Sequence, residues 1–271
     1  MSMFYLDDRN FNSRLLIGTA RYPALDDIVR SIECSGAEIA TVSLRRSRVK
    51  EQDTSNFLKT LKSTGVNILP NTSGCFSQNE IITVSEMARE IFETNWIKLE
   101  AIGDDYTLFP DPVLLIESSK ELVKRGFKVF PYTSPDIVVC RKLVEEAGLD
   151  ILMPLAAPIG TGQGPVYIQD LERLRDRFPE TTLIVDAGIG KPSHAAQIME
   201  MGYDALLINT AIAQAVNPAE MALAFSLAIT AGRKAHENGM IAPHNNARTS
   251  SPLIDQPFWH CENDNKTGIT S

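Results

Sequence analysis

Lys98 stands inside the apolar run Trp96-Ile97-Lys98-Leu99-Glu100. A lysine in such a run is costly unless it is paired or used. Side chains alternate along a strand, so Lys98 and Glu100 share one face while Ile97 and Leu99 share the other. If the apolar pair packs on helices, the charged pair faces the axis or mouth of a barrel. Burial alone lowers the pKa of a lysine, and the freed amine can attack a carbonyl. A structural ion pair between Lys98 and Glu100 fits the same spacing, and the residues by themselves leave both readings open. Asp186 closes a second apolar run, Leu183-Ile184-Val185. It reads either as a general acid or base facing a substrate or as a cap for nearby backbone N–H groups.

Three glycine-rich or small-residue stretches follow consecutive apolar runs: Pro158-Ile159-Gly160-Thr161-Gly162-Gln163-Gly164, Asp186-Ala187-Gly188-Ile189-Gly190 and Asn209-Thr210-Ala211. Glycine lets backbone N–H groups approach an anion with no side chain in the way. One such loop is weak evidence, because turns need glycine anyway. Three in succession point to the phosphate of a small phosphorylated substrate. Arg45-Arg46, after another apolar run, suits an anionic substrate, a subunit interface or plain solvent. His194, His236, His244 and His260 show no metal-ligand spacing. Neither a metal nor a cofactor is expected.

These residues need elements to hold them. Eight short apolar runs recur at even intervals: 15–17, 39–42, 67–69, 96–100, 128–130, 151–153, 183–186 and 205–209. Between them lie amphipathic helical patterns over 25–34, 79–92, 112–125, 135–147, 192–202 and 218–237. Alternation of this kind makes an α/β protein, and eight strands suit a closed (β/α)8 TIM barrel better than an open doubly wound sheet. Gly18-Thr19-Ala20, after the first run, is no dinucleotide fingerprint. The active site of such a barrel lies at the C-terminal ends of its strands, where Lys98, Glu100, Asp186 and the glycine loops would all fall. The expected division is a catalytic barrel over residues 1–242 and an extended or disordered tail over 243–271. The tail is rich in Asn, Ser, Thr, Asp and Pro and lacks periodicity.

The 271 residues suit one barrel domain, and 44% of them are hydrophobic, enough for a large core. A net charge of -8 argues against broad nucleic-acid binding, which depends on neutralising phosphates. No apolar stretch approaches the roughly 20 residues that span a bilayer, and Asp7-Asp8-Arg9 breaks any secretory signal. The four cysteines form no CxxC pair. A cytoplasmic protein without nucleic-acid or membrane partners is expected.

The chain resembles bacterial thiazole synthase from about Phe11 to about Pro252. The resemblance rests on ordered stretches: Ser13 to Thr19, Leu69-Pro70-Asn71-Thr72, Ile97-Lys98-Leu99-Glu100, Pro110-Asp111-Pro112, Pro131-Tyr132-Thr133, the Pro158–Gly164 loop, Val185 to Gly190, and Asn209-Thr210-Ala211. It implies a (β/α)8 barrel, a transferase of thiamine biosynthesis, that condenses 1-deoxy-D-xylulose 5-phosphate, dehydroglycine and sulfur. The sulfur would arrive as a thiocarboxylate on a small sulfur carrier protein. The family's Schiff-base lysine falls on Lys98 and its acid/base carboxylates on Glu100 and Asp186. Its phosphate and substrate contacts fall on Gly160, Ala187, Gly188, Asn209 and Thr210. A homotetramer is implied as well. The chain departs from the pattern at Leu155-Ala156-Ala157 and at Asp104-Asp105-Tyr106. Two other readings share Lys98: another lysine-imine barrel, such as an aldolase, and a binding barrel in which Lys98 and Glu100 are only an ion pair.

Overall fold

Apolar runs that are buried on both faces need cover on both sides, and the chain supplies it by closing its strands into a ring and surrounding them with helices. The computed structural model describes residues 3–44 and 51–247, with 51–55 as backbone only. A hairpin comes first, β1 (Phe4–Leu6) and β2 (Arg9–Phe11). The barrel then runs β3 (Leu15–Gly18), α1 (Leu25–Ser35), β4 (Ile39–Ser43), α2 (Glu51–Ser63), β5 (Asn67–Asn71), α3 (Gln78–Phe92), β6 (Trp96–Leu99) and α4 (Pro112–Lys124). It continues through β7 (Lys128–Thr133), α5 (Ile137–Glu145), β8 (Ile151–Pro154), α6 (Ile168–Arg177), β9 (Thr182–Asp186), α7 (Pro192–Glu200) and β10 (Ala205–Ile208). A short helix α8 (Thr210–Ala213) precedes the long α9 (Pro218–Asn238). Strands β3 to β10 are parallel and closed, with β10 paired back to β3. The fold is the expected (β/α)8 barrel.

Strand residues sort by alternation into two layers. Leu15, Ile17, Ala40, Val42, Ile97, Leu99, Val129, Val185 and Leu206 join the layer between barrel and helices. Leu16, Ile39, Leu69, Trp96, Phe130, Ile184 and Leu207 fill the inside. Read upward, each inner row passes from apolar to polar: Trp96 to Lys98 to Glu100, Ile39 to Thr41 to Ser43, Ile184 to Asp186, Leu207 to Asn209. The period of two therefore puts a dry plug at one end of the barrel and chemistry at the other.

The hairpin finishes the plug. Its two-residue turn, Asp7-Asp8, has φ of 48° and 57°, the left-handed pair a tight hairpin needs. Phe4, Leu6 and Phe11 close the N-terminal end of the barrel, and Phe11 meets Phe4 and Trp96 at ring separations of 6.1 and 6.2 Å. Phe11→Ala is expected to destabilise the protein by about 3–5 kcal/mol in urea unfolding. A loss below about 1 kcal/mol would mean the hairpin is not part of the core.

Sequence reading missed this hairpin, together with α2, α6 and α8. In α2 the described apolar side chains are few, and α6 buries only Leu171 and Leu174. The barrel unit extends to Gly239, and a second unit begins at Met240. Within that unit, residues 240–247 are exposed and have no helix or strand, while the tail beyond 247 lies outside the described residues. Among the described residues no helix is long and apolar enough to cross a membrane.

Candidate active site

The C-terminal ends of the strands surround a cavity of about 390 Å³. Lys98, Glu100, Asp186, Gly160, Ala187, Gly188, Asn209 and Thr210 all line it. Arg45 and Arg46 lie outside the described residues. Among the described lining residues, Lys98 is the only cation.

Three charged side chains meet at the cavity floor. Lys98 Nζ lies 3.0 Å from Glu100 Oε1 and 2.6 Å from Asp186 Oδ2. Each of the three residues is only 6% exposed. Lys98 and Glu100 reach the cavity from β6 and the residue just after it. Asp186 ends β9, across the barrel axis. Asp186 Oδ2 is at ion-pair distance from the ammonium. Tyr132, fully buried on β7, sets its ring 5.8 Å from Nζ and donates its hydroxyl to Leu108 O at 3.3 Å.

The protonation of this cluster corrects the expectation from sequence. Burial does push the Lys98 pKa down, as the strand position suggested. The two carboxylates beside it push harder, and the net direction is upward. Burial raises the pKa of Asp186, and Glu100 adds to that, while Lys98 pulls the other way. Lys98 is therefore an ammonium clamped between the two carboxylates. Tyr132 is raised too, first by burial and then by Asp186 and Glu100, so it stays a neutral phenol.

Glycine-rich and small-residue loops supply another part of the lining. Gly160 and Gly188 have φ of 78° and 75°, and Ala187 holds a left-handed φ of 63° despite its side chain. Thr210 opens α8, the short helix that follows the last barrel strand, and the Ile212 and Ala213 amides bond back to Asn209 O. Thr210 and Ala211 line the cavity, and their amides precede that ladder. Loops after the last two strands plus a short helix are the usual phosphate cradle of this fold. Asn209 spends its side chain on closing the barrel. With its amide nitrogen oriented by its partners, it donates to Gly18 O at 3.2 Å and Ala20 O at 2.8 Å.

Gly188 has no room to change. A Cβ there would lie 2.5 Å from both the Cβ and the N of Ala157. Gly188→Ala is expected to destabilise by at least about 2 kcal/mol, from backbone strain together with overpacking, measured by denaturant midpoint. A midpoint within error of the parent would show that the loop relaxes freely.

A family model described as Thiazole biosynthesis protein ThiG matches residues 5–252. The chain belongs to the thiazole synthase family. Thiazole synthase of Rhodopseudomonas palustris is 52% identical over 96% of this chain and 99% of that relative. Thiazole synthase of Cupriavidus pinatubonensis is 49% identical over 96% of this chain and 94% of that relative. Among solved structures, the Amycolatopsis orientalis BexX/CysO complex aligns at a TM-score of 0.80 and 27% identity, covering 90% of this chain and 98% of that one. A structure titled native KDPGal aligns at a TM-score of 0.58 and 14% identity, a likeness of fold alone. Membership makes this chain an enzyme of thiazole formation in thiamine biosynthesis.

Sequence reading singled out eight site residues, and all eight line one cavity. It did not single out Tyr132 or Thr72, though both sit in the stretches that carried the family resemblance. It also passed over Thr41, Ser43 and Asn71, which line the cavity from β4 and β5. Their signal was present, because each is a polar residue in the inward register at the end of an apolar run.

Proposed function

We propose that this thiazole synthase condenses 1-deoxy-D-xylulose 5-phosphate, dehydroglycine and carrier-borne sulfur through an imine on Lys98. The observation that carries the reading is a buried lysine held between two carboxylates in a cavity also lined by Gly160, Ala187, Gly188 and Thr210. A phosphorylated ketose fits that polarity. Its phosphate would lie against the amides of the Gly160, Ala187–Gly188 and Thr210 loops, and its ketone would reach Nζ.

The lysine must first lose a proton. Asp186, whose pKa burial raises, is the acceptor at 2.6 Å. The free amine attacks the ketone, and loss of water gives the imine. An imine acidifies the adjacent C–H, so a carboxylate can remove that proton and the carbonyl can move along the chain. Glu100 and Asp186 share these transfers. The thiocarboxylate sulfur then adds to the new ketone, the carrier's acyl group passes from sulfur to the oxygen so formed and leaves with it as the carrier's carboxylate, and the sulfur stays on the sugar-derived carbon. That sulfur adds to the C=N carbon of dehydroglycine, whose nitrogen displaces Lys98 from the imine carbon, closing the ring and freeing the amine. This makes the enzyme a sulfur-transferring transferase that needs no resident metal or cofactor.

The sulfur would be delivered by a small carrier protein through its C-terminal thiocarboxylate. The BexX relative was solved with a second protein, CysO, which supports a protein partner here. A homotetramer in the cytoplasm is part of the same reading. Exposed Val113, Ile137 and Val138, at the starts of α4 and α5, offer apolar surface for subunit contact. Residues 1–242 form the catalytic domain in this reading, and the segment from 243 is an extended tail.

The test is intact-protein mass spectrometry after mixing with 1-deoxy-D-xylulose 5-phosphate and borohydride. A substrate-sized adduct that maps to Lys98 is expected. Correctly folded protein with no adduct would end the imine reading and favour a barrel that only binds.

A further inference from the structure

The carboxylate of Glu100 works only if its backbone is held at one height above Lys98, and the usual means of holding it is weak here. Glu100 follows the last ladder residue of β6. On one side the β5–β6 register includes only Asn71 opposite Lys98, and on the other Leu99 lies opposite Pro131, which has no N–H to give. A side chain takes over. Thr72, the residue after β5, is fully buried. Its hydroxyl accepts from Glu100 N at 2.9 Å and donates to Glu100 O at 3.0 Å. Its own amide donates to Lys98 O at 3.1 Å. One residue thus grips the backbone on both sides of the Lys98–Glu100 step. A hydroxyl can do so because it donates and accepts at once.

We propose that Thr72 is a positioning residue for Glu100, its hydroxyl fixing the strand end so that the carboxylate stays 3.0 Å from the Lys98 ammonium. Thr72 does not line the cavity and does not touch the reacting atoms. It acts through Glu100. The proposal rests on the imine reading for its catalytic consequence, but the geometry of the grip stands without it. Valine at this position keeps the shape and loses both hydrogen bonds. Serine keeps the hydroxyl and loses only a methyl group.

The experiment is a cycle of Thr72→Val, Thr72→Ser, Glu100→Gln and Thr72→Val/Glu100→Gln in the full-length protein. Folding is checked by near-UV circular dichroism. Turnover should fall about 10- to 100-fold in Thr72→Val, the scale of a small misplacement of a catalytic group. KM for the phosphorylated substrate should hold, because the glycine loops lie on other strands. Thr72→Ser should recover most of the loss. In the Glu100→Gln background, Thr72→Val should add little, because the group it positions is already gone. A second readout does not need turnover: the rate at which acetic anhydride labels Lys98 at pH 9, read by peptide mass spectrometry. Glu100, Asp186 and Tyr132 are the groups facing that amine. Loosening Glu100 leaves more free amine, so labelling should speed up in Thr72→Val and in Glu100→Gln, with no further gain in the double variant. Wild-type turnover and labelling in Thr72→Val would overturn the proposal. So would a loss of turnover that adds in full to that of Glu100→Gln, which marks general structural damage. Should the wild type form no imine, the Schiff-base reading fails, and the labelling cycle still decides the role of Thr72.

Discussion

Lys98→Ala is expected to lower turnover by at least about 10⁴-fold and to abolish the borohydride-trapped adduct, because no other amine lines the described cavity to take over as nucleophile. Lys98→Arg should be as inactive. Arginine keeps the positive charge between Glu100 and Asp186, but it does not deprotonate and cannot form the imine. The pair separates two roles that lysine combines. In Lys98→Ala, two carboxylates that each touched the ammonium remain buried with like charge. Removing one partner of such a cluster destabilises by about 3–5 kcal/mol. The pH dependence has a definite sign. Without the lysine, burial raises the pKa of Asp186 with no cation to pull it back, so the variant is most stable in acid and loses stability as pH rises through the folded Asp186 value. In the parent the Lys98 pKa is raised above its usual 10.5, so its contribution is full below about pH 10.5 and disappears only as pH climbs through the higher folded value. Thermal melts of both proteins between pH 5 and pH 8 make the measurement. Turnover above about 1% in Lys98→Arg would sink the imine mechanism.

Asp186→Asn should show the opposite balance between stability and activity. Burial raises the pKa of Asp186 even with Lys98 at 2.6 Å. Relative to the unfolded chain, a raised carboxylate favours folding fully below about pH 3.8, and that advantage is lost as pH rises through the folded value. At neutral pH the ionised side chain therefore works against folding. Asparagine removes the charge, keeps the shape and leaves Lys98 paired with Glu100. The expected melting temperature at pH 7 is equal to or above that of the parent. Turnover should fall about 10²- to 10⁴-fold, the usual contribution of a general acid or base. A variant that melts well below the parent would show that Asp186 is a structural clamp. One that melts normally and turns over normally would remove it from the mechanism.

Both expectations reflect a site kept at some cost to the barrel. Active-site groups commonly oppose stability, since a polar group held for chemistry is a polar group withheld from packing. Here the cost is localised. One lysine and two carboxylates occupy the top of an interior that is otherwise filled by Leu16, Ile39, Leu69, Phe130, Ile184 and Leu207. The aromatic plug below them, closed by the N-terminal hairpin, keeps that end of the barrel dry.

Much of this was legible in the residue order. The eight strands show as apolar runs because each is buried on both faces, and that demand leaves a mark in composition. The facing of Lys98 and Glu100 followed from a period of two, which no tertiary contact can change without flipping the whole strand. The glycines after β8 and β9 marked places where the backbone itself would have to meet a ligand. What stayed hidden depended on neighbours far away in sequence. The hairpin was missed because Asp7-Asp8 resembles a charged interruption until the strands around it are paired. The helices α2 and α6 were missed because polar and charged residues dominate both, so a few apolar positions are all that mark the buried stripe.

The sequence by itself determined the fold class, the family and the register that turns Lys98 and Glu100 inward, while Asp186 stayed open between a substrate-facing carboxylate and a cap. Only the tertiary structure decided what those three do to one another. Lys98 and Asp186 are 88 positions apart, and nothing in either local pattern says that closure of the ring brings them to 2.6 Å. That distance reverses the charge argument. Burial, which the strand pattern reveals, would have freed the amine. Two carboxylates in a low-dielectric pocket, one of them arriving from across the barrel, hold it as an ammonium. Thr72 is a similar case, since its hydroxyl matters only because the end of β5 lies against the end of β6. Local periodicity sets which way a side chain points, and electrostatics depends on which side chains it then meets.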